Sequence, residues 1–409
     1  MIFTSLSPNT QKDDLKLALK ILLAPSCWQS GKTITELEAA FHDYFPIKFA
    51  TSFASGRTAL FAILKSLGIK EGDEVLIQAY TCVAVVEPIL WCQAKPIYVD
   101  CEIDFNLSPE DLRKKITPHC KAIIIQHTFG QPAQLEKIIT LAKEYNLFLI
   151  EDGAHSLGST YQGQKIGTFG IASFWSFGRD KVISATFGGM VTTNDKNLAQ
   201  KIAALKNSFP YPSKIWILRQ LLHPLILWLA KKTYTFLTLG KIILELAKKL
   251  KLISLAVETR EKRGEAPVFA FQQLPNALAI LTLNQFKKLD LFNSHRKKMA
   301  VFYTKVLKNN SHFILPKTRE NSESIYLRFT LLSVEAPKII QEALQKGMEL
   351  GSWYNTPIAP EGVDYAKVYY LEGSCPQAEN FSRQSLNLPT HIQITAKDAQ
   401  KIVDFIKQY

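Results

Sequence analysis

Residues 147–181 read LFLIEDGAHSLGSTYQGQKIGTFGIASFWSFGRDK. A short apolar run, LFLI, ends on two acids, Glu151 and Asp152, and a second run, Ala172–Phe177, ends just before Lys181. Apolar runs of this length, bounded by turn residues, are read as strands buried in a sheet. Ligands of a parallel sheet bind in the crevice beyond the carboxyl ends of its strands. The stretch therefore carries a carboxylate, and about thirty residues later a lysine, to one edge of one sheet.

The same pattern extends in both directions. Candidate strands at Glu74–Ile77, Pro96–Val99, Ala122–Gln126 and Leu147–Ile150 alternate with helical stretches at Val83–Trp91, Pro109–Ile116 and Gln134–Tyr145. The second helix has a clear start, with Ser108 as N-cap, Pro109 at the first position and Asp111 near the positive helix end. Gly188–Thr193 reads as one more strand. This alternation predicts an α/β fold, a mostly parallel sheet covered by helices on both faces. The first fifty residues read as an arm leading into a helix at Thr33–Tyr44. From Phe286 a smaller α/β unit is expected, with a helix at Leu289–Leu307, a strand at Ile325–Leu332 and a closing helix at Ala396–Lys407. A chain of 409 residues suits two domains sharing a cleft. The expected division is 1–285 for the arm and large domain, including a helical insertion at 208–267, and 286–409 for the small domain.

Within the insertion, residues 214–257 carry Lys214, Arg219, Lys231, Lys232, Lys241, Lys248, Lys249 and Lys251 against the single acid Glu245, a net +7 of the chain's +13. The apolar stretch Ile215–Ala230 is broken by Arg219, Gln220, His223 and Pro224, which excludes a membrane-spanning helix. Two readings remain. The helices dock peripherally on an anionic membrane surface, or they pack on the protein with their lysines solvated. The overall basic charge favours an anionic partner. The six cysteines are scattered with no metal-ligand spacing, so neither a metal site nor a disulfide framework is expected. Acids stand where a signal peptide would have basic and apolar residues, so a cytoplasmic protein is expected.

Several residues along the sheet edge bear chemistry. Ser55-Gly56-Arg57 opens an amphipathic helix, Thr58–Leu67, and a Gly-containing turn at a helix N-terminus offers free N–H groups to a phosphate. FWSFGRDKVISATFGG brings Ser176, Lys181 and the pair Gly188-Gly189 together between two strands. A lysine desolvated in such a turn has a lowered pKa and attacks aldehydes.

In their order, SGRTAL (55–60), GDEVLIQAYT (72–81), AKPIYVD (94–100), HTFGQPAQLE (127–136), EDGAHSLGSTYQGQKIGTFG (151–170), SFGRDK (176–181), FGGMVTTND (187–195) and CPQAENFSRQSLNLPTH (375–391) resemble the DegT/DnrJ/EryC1/StrS family of sugar aminotransferases, enzymes of fold-type I. The resemblance covers most of the chain outside 208–270. It implies pyridoxal 5'-phosphate (PLP) as cofactor, glutamate as amino donor, a nucleotide-activated or lipid-linked keto sugar as acceptor, a role in cell-surface glycan biosynthesis, and a homodimer. It implies that Lys181 carries the cofactor covalently and shuttles the proton. Asp152 would pair with the pyridine nitrogen, and His155 would lie near the ring hydroxyl. The backbone amides of Gly56 and Arg57 and the hydroxyl of Ser176 would hold the phosphate. Cys82 occupies the position where the family usually stacks an aromatic ring on the cofactor, and Tyr80 is the alternative cover. The family's stretch that sends an asparagine to the neighbouring subunit's phosphate is not recognisable in 268–281, leaving Asn207 or Asn276 as candidates. WYNTPIAP (353–360) is expected near the cleft. Sugar dehydratases of this fold replace the lysine with histidine, so Lys181 argues against that rival. A non-catalytic membrane-bound regulatory protein on the same fold is the other. Nucleic-acid binding would explain the charge but none of the motifs.

Overall fold

The computed structural model describes residues 1–234 and 239–409. Residues 235–238, part of the basic apolar segment, lie outside the described residues.

Seven strands form the central sheet: β1 (Phe49–Phe53), β2 (Glu74–Gln78), β3 (Lys95–Val99), β4 (Cys120–Gln126), β5 (Phe148–Asp152), β6 (Ala172–Ser176) and β7 (Gly189–Thr193). Their order is β1-β7-β6-β5-β4-β2-β3. Strands β2 to β6 run parallel, and β7 is antiparallel to both of its neighbours, β6 and β1. The strand interiors are apolar on both sides because each side meets its own core. Val75, Ile77, Ile124 and Ile150 face one core, while Leu76, Ile123, Ile125 and Leu149 face another. This near-continuous apolarity is what parallel strands covered on both faces require.

The helices are α1 (Lys12–Leu22), α2 (Thr33–Tyr44), α3 (Gly56–Ser66), α4 (Val83–Trp91), α5 (Pro109–Lys115), α6 (Leu135–Glu144), α7 (Lys196–Ser208), α8 (Lys214–Lys232), α9 (Leu239–Lys249), α10 (Asn276–Phe286), α11 (Leu289–Leu307), α12 (Ala336–Gln345), α13 (Pro376–Gln384) and α14 (Ala396–Ile406). Their starts follow local chemistry. The hydroxyls of Ser55, Ser108 and Ser213 accept from backbone amides at the starts of α3, α5 and α8, and Thr395 forms a capping box with Asp398 on α14. The C-terminal part has a core of its own, where Tyr303, Phe329, Leu331, Leu386, Leu388 and Ile402 gather with Ile2. Its two strands, β8 (Phe329–Leu332) and β9 (Ser385–Leu388), pair antiparallel.

The sequence reading departs from this structure in two places. The arm expected over the first fifty residues takes in the start of β1, because FATSF carries two polar residues and lies at the sheet's edge, paired along its length with β7 and bridged at Phe53 to Gln273. The strand expected over Ile325–Leu332 begins only at Phe329. Tyr326 turns into the left-handed region (φ 49°), and Ile325 and Leu327 bond instead to the carbonyls of Gly130 and Phe129.

Helix α8 packs on α1, α9 and α10 and buries Ile217, Leu221, Pro224 and Leu227. Helix α9 buries only Gly240 and Ala247 and leaves Leu239, Ile242 and Leu246 exposed. No helix among the described residues is long and apolar enough to cross a membrane.

Candidate active site

The carboxyl ends of β5 and β6 and the N-terminus of α3 open onto one cavity of about 580 Å³, a size suited to a small cofactor with part of a substrate. Gly56, Arg57, Cys82, Asp152, His155, Ser176 and Lys181 all line it. Tyr80 does not. Its side chain is fully buried behind the wall, packed against Phe105, Phe129, Tyr354 and Phe381, and its hydroxyl meets Ser385 and the Trp353 carbonyl. The left-handed turn at Tyr80 (φ 64°) aims the ring inward, so Tyr80 cannot cover a cofactor and the thiol of Cys82 faces the cavity instead.

Strand alternation separates the two acids of β5, because neighbouring side chains point to opposite faces. Glu151 turns to the far side, where it accepts from the amides of Gly167, Phe169 and Gly170 and holds that loop. Asp152 turns to the cavity, where Oδ1 accepts from the Ala154 amide at 2.9 Å. Burial raises the Asp152 carboxyl, against the lowering effects of that amide and of Lys181. A buried carboxylate in this state calls for a cation. The protonated ring nitrogen of PLP is one.

His155 and Lys181 form a matched pair. The Phe129 amide donates to Nδ1 of His155 at 3.3 Å, which assigns the ring hydrogen to Nε2. Nε2 lies 2.9 Å from the Lys181 amine. Burial holds His155 neutral, helped by the charges of Lys181 and Arg328. Burial also lowers the Lys181 amine, although Asp152 opposes it. The close approach of Nε2–H to the Lys181 amine and the lowered pKa of that amine both favour its free-base form relative to an exposed lysine. The Trp353 ring centroid stands 5.5 Å from the amine, and the Arg328 guanidinium lies over the same indole, 3.6 Å from its centroid.

The phosphate end is shaped by glycine. A Cβ on Gly56 would lie 3.0 Å from Cβ of Ser176, and one on Gly189 would lie 2.5 Å from the Ser55 carbonyl carbon. Helix α3 can thus start hard against the end of β6, and its first amides, those of Gly56 and Arg57, have no acceptor within the helix. A phosphate fits this cradle, bounded by free N–H groups and the Ser176 hydroxyl. The residues present fit PLP at each of its polar ends.

Other residues at the site were not legible beforehand. The Asn9 amide donates to the carbonyls of Lys181 (2.7 Å) and Val182 (3.0 Å), and Arg296 donates to Asn9 Oδ1 and to the Val182 carbonyl, both at 2.8 Å. Together they pin the backbone that bears Lys181. The Arg57 side chain turns away from the cavity floor into a buried cluster, with Nε 2.8 Å from Glu261 and 3.4 Å from Glu87 and Nη2 on the Ala256 carbonyl. Trp353 and Tyr354 line the cavity, as expected of that stretch. Asn276 is committed elsewhere, bonding the Cys27 carbonyl and the Thr33 amide, and Asn207 is exposed on α7. Only Arg328 left a trace in the sequence, as a lone cation within an apolar strand-like run.

Comparison with known proteins agrees with this geometry. The sequence profile of the DegT/DnrJ/EryC1/StrS aminotransferase family matches residues 9–209 and 238–407. The GDP-perosamine synthase of Caulobacter vibrioides is 27% identical over 391 residues, covering 92% of this chain and 90% of that protein. Among solved structures, PseC of Helicobacter pylori, an aminotransferase involved in the biosynthesis of pseudoaminic acid, superposes with a TM-score of 0.77 at 22% identity, covering 100% of this chain and 99% of that one. DesV of S. venezuelae gives 0.76 at 24% identity, covering 97% and 94%. At these identities the two structures speak to the fold, which is fold-type I.

Proposed function

We propose, from the premise that this chain belongs to the DegT/DnrJ/EryC1/StrS aminotransferase family, that it moves an amino group from glutamate to a nucleotide-activated keto sugar in cell-surface glycan biosynthesis. The chain is a PLP-dependent sugar aminotransferase. The donor and the form of the sugar are our reading, and the likeness to GDP-perosamine synthase supports the nucleotide-linked form of the sugar. One observation carries it. The Lys181 amine, its pKa lowered by burial, lies 2.9 Å from Nε2 of His155, with the Asp152 carboxyl buried in the same cavity.

When bound, PLP supplies an electron sink for negative charge developing on the substrate carbon. The chain's own residues do the rest. Lys181 would hold the cofactor through its amine, and the same amine is placed to carry a proton to and from the substrate carbon. Asp152 would face the ring nitrogen and favour its protonated form. Nε2–H of His155 steadies the amine between transfers. The amides of Gly56 and Arg57 and the hydroxyl of Ser176 hold the phosphate, and Trp353 and Tyr354 keep water from the reacting centre. Asn9 and Arg296 keep the lysine's backbone from drifting.

The test is the visible absorbance of the PLP-loaded protein. The wild type should show a lysine-bound chromophore that glutamate bleaches, and Lys181→Ala should show neither band nor bleaching. An unchanged band in Lys181→Ala, or no response to glutamate or other amino donors, overturns the reading.

We further propose that the enzyme is a cytoplasmic homodimer whose α8–α9 segment rests on an anionic membrane. The exposed row Leu239, Ile242 and Leu246, with Leu250 beyond it, follows helical spacing on one face of α9, and Lys241, Lys248 and Lys249 accompany it. The buried face of α8 supports packing for that helix, so the membrane reading now rests mainly on α9.

A further inference from the structure

Two arginines stand at the phosphate end of the cavity, and only one is spoken for. The Arg57 guanidinium is paired in charge with Glu261 and Glu87 and donates through Nη2 to the Ala256 carbonyl, although its Nε makes no aligned hydrogen bond among the described residues. Arg179, in the turn between Ser176 and Lys181, lines the same cavity as Ser55, Gly56, Ser176 and Gly188. Its Nε and Nη2 are buried, and among the described residues they have no hydrogen-bond partner. The Phe187 ring, 5.4 Å from Cζ, gives the guanidinium a face to lie on but accepts no N–H in its plane.

The neighbours do not offer a partner. Asp180 attracts Arg179, yet its own buried Oδ1 is also unpartnered. His223 is buried with neither ring nitrogen bonded, and burial together with the charge of Arg179 holds it neutral. Burial brings Arg179 down to about 10, so it remains charged at neutral pH. A charged fork with unmet donors, beside a helix N-terminus and a serine hydroxyl, lacks an oxyanion.

We propose that Arg179 grips the cofactor's phosphate, closing from the Lys181 turn the cradle that Gly56, Arg57 and Ser176 open from α3 and β6. The inference rests on the reading that PLP occupies this cavity. Arg179 thereby sets how strongly the enzyme prefers the phosphorylated aldehyde, while Lys181 and Asp152 hold the ring.

Titrating the cofactor-free protein with PLP and with pyridoxal, which has the same ring and aldehyde but no phosphate, separates the contributions. Arg179→Gln should raise the Kd for PLP by about tenfold or more, leave that for pyridoxal within about twofold, and weaken competition by inorganic phosphate. Arg179→Lys should recover part of the loss, since it restores charge without the fork. Unchanged pyridoxal binding shows that Arg179→Gln keeps its fold. Equal PLP affinity in wild type and Arg179→Gln overturns the inference and leaves the aminotransferase reading standing. A wild type that binds neither aldehyde at Lys181 overturns both.

Discussion

At the scale of single residues, the chemistry depends on how two buried groups share protons. The charged form of Lys181 is penalised chiefly by burial, and Asp152 works the other way. A lowered pKa means more free amine at any given pH. The rate of PLP capture should therefore rise with pH through an inflection below the ordinary lysine value of 10.5. Asp152→Asn removes the anion that favours the charged amine, so its inflection should lie lower still. Stopped-flow capture rates across pH would check this; an inflection at the ordinary lysine value, or an upward shift in Asp152→Asn, contradicts the account. Asp152 was legible because it ends an apolar strand, and Lys181 because it stands in the turn a few residues beyond the next one, where period and position are local facts. Asn9 was not legible, since it meets Lys181 across 172 positions of chain. Arg296 gave no signal, as nothing about a lone arginine in a helix says whose backbone it will reach. Tyr80 was offered as ring cover for want of its backbone angle, which only the folded turn determines.

At the scale of elements, the start of α3 is tied to α4 and to the segment after α9 by the buried cluster of Arg57, Glu87 and Glu261. Burial, with Glu261 beside it, pushes the Glu87 carboxyl well above the usual range despite Arg57. Burial raises the Glu261 carboxyl as well, and Arg57 opposes the rise in both acids. Arg57→Met would leave two buried acids without their cation and should cost roughly 3–5 kcal/mol in urea unfolding. The sign with pH follows from the raised values: the folded state holds a proton that the unfolded chain releases, so stability falls as pH rises. That fall should be steeper in Arg57→Met than in the wild type between about pH 5 and 8, and parallel slopes would contradict the assignment. The strands and helices of the central sheet were readable because their periods are strong and their caps local. Edge strand β1 and the shortened β8 were not, because one takes its order from distant partners, β7 and Gln273, and the other yields half its length to the 129–130 loop.

At the scale of the whole molecule, basic charge and exposed apolar side chains coincide on α9, and the membrane proposal is best tested there. Deleting 214–257 would strip Ile217 and Leu221 from the core, so surface substitutions are the cleaner probe. The wild type should float with vesicles containing phosphatidylglycerol but not with neutral ones, less so at high salt, and Ile242→Glu/Leu246→Glu should stay behind with its fold and activity intact. Equal flotation of both proteins sinks the proposal. The division at residue 285, which we keep as a proposal, is supported by the separate core around Tyr303 and Phe329. That core has one outside member. Ile2 and Phe3 lie alongside Met348 and Glu349, and a few residues on, Asn9 clasps the carbonyl of Lys181. The arm therefore finds its seat only after some 345 further residues are in place, a pairing whose closure is slow by its span. The arm thus ties two distant regions at once, the C-terminal core through Ile2 and the backbone of Lys181 through Asn9, so that the seat of the reactive lysine and the packing of the last third of the chain share one short segment.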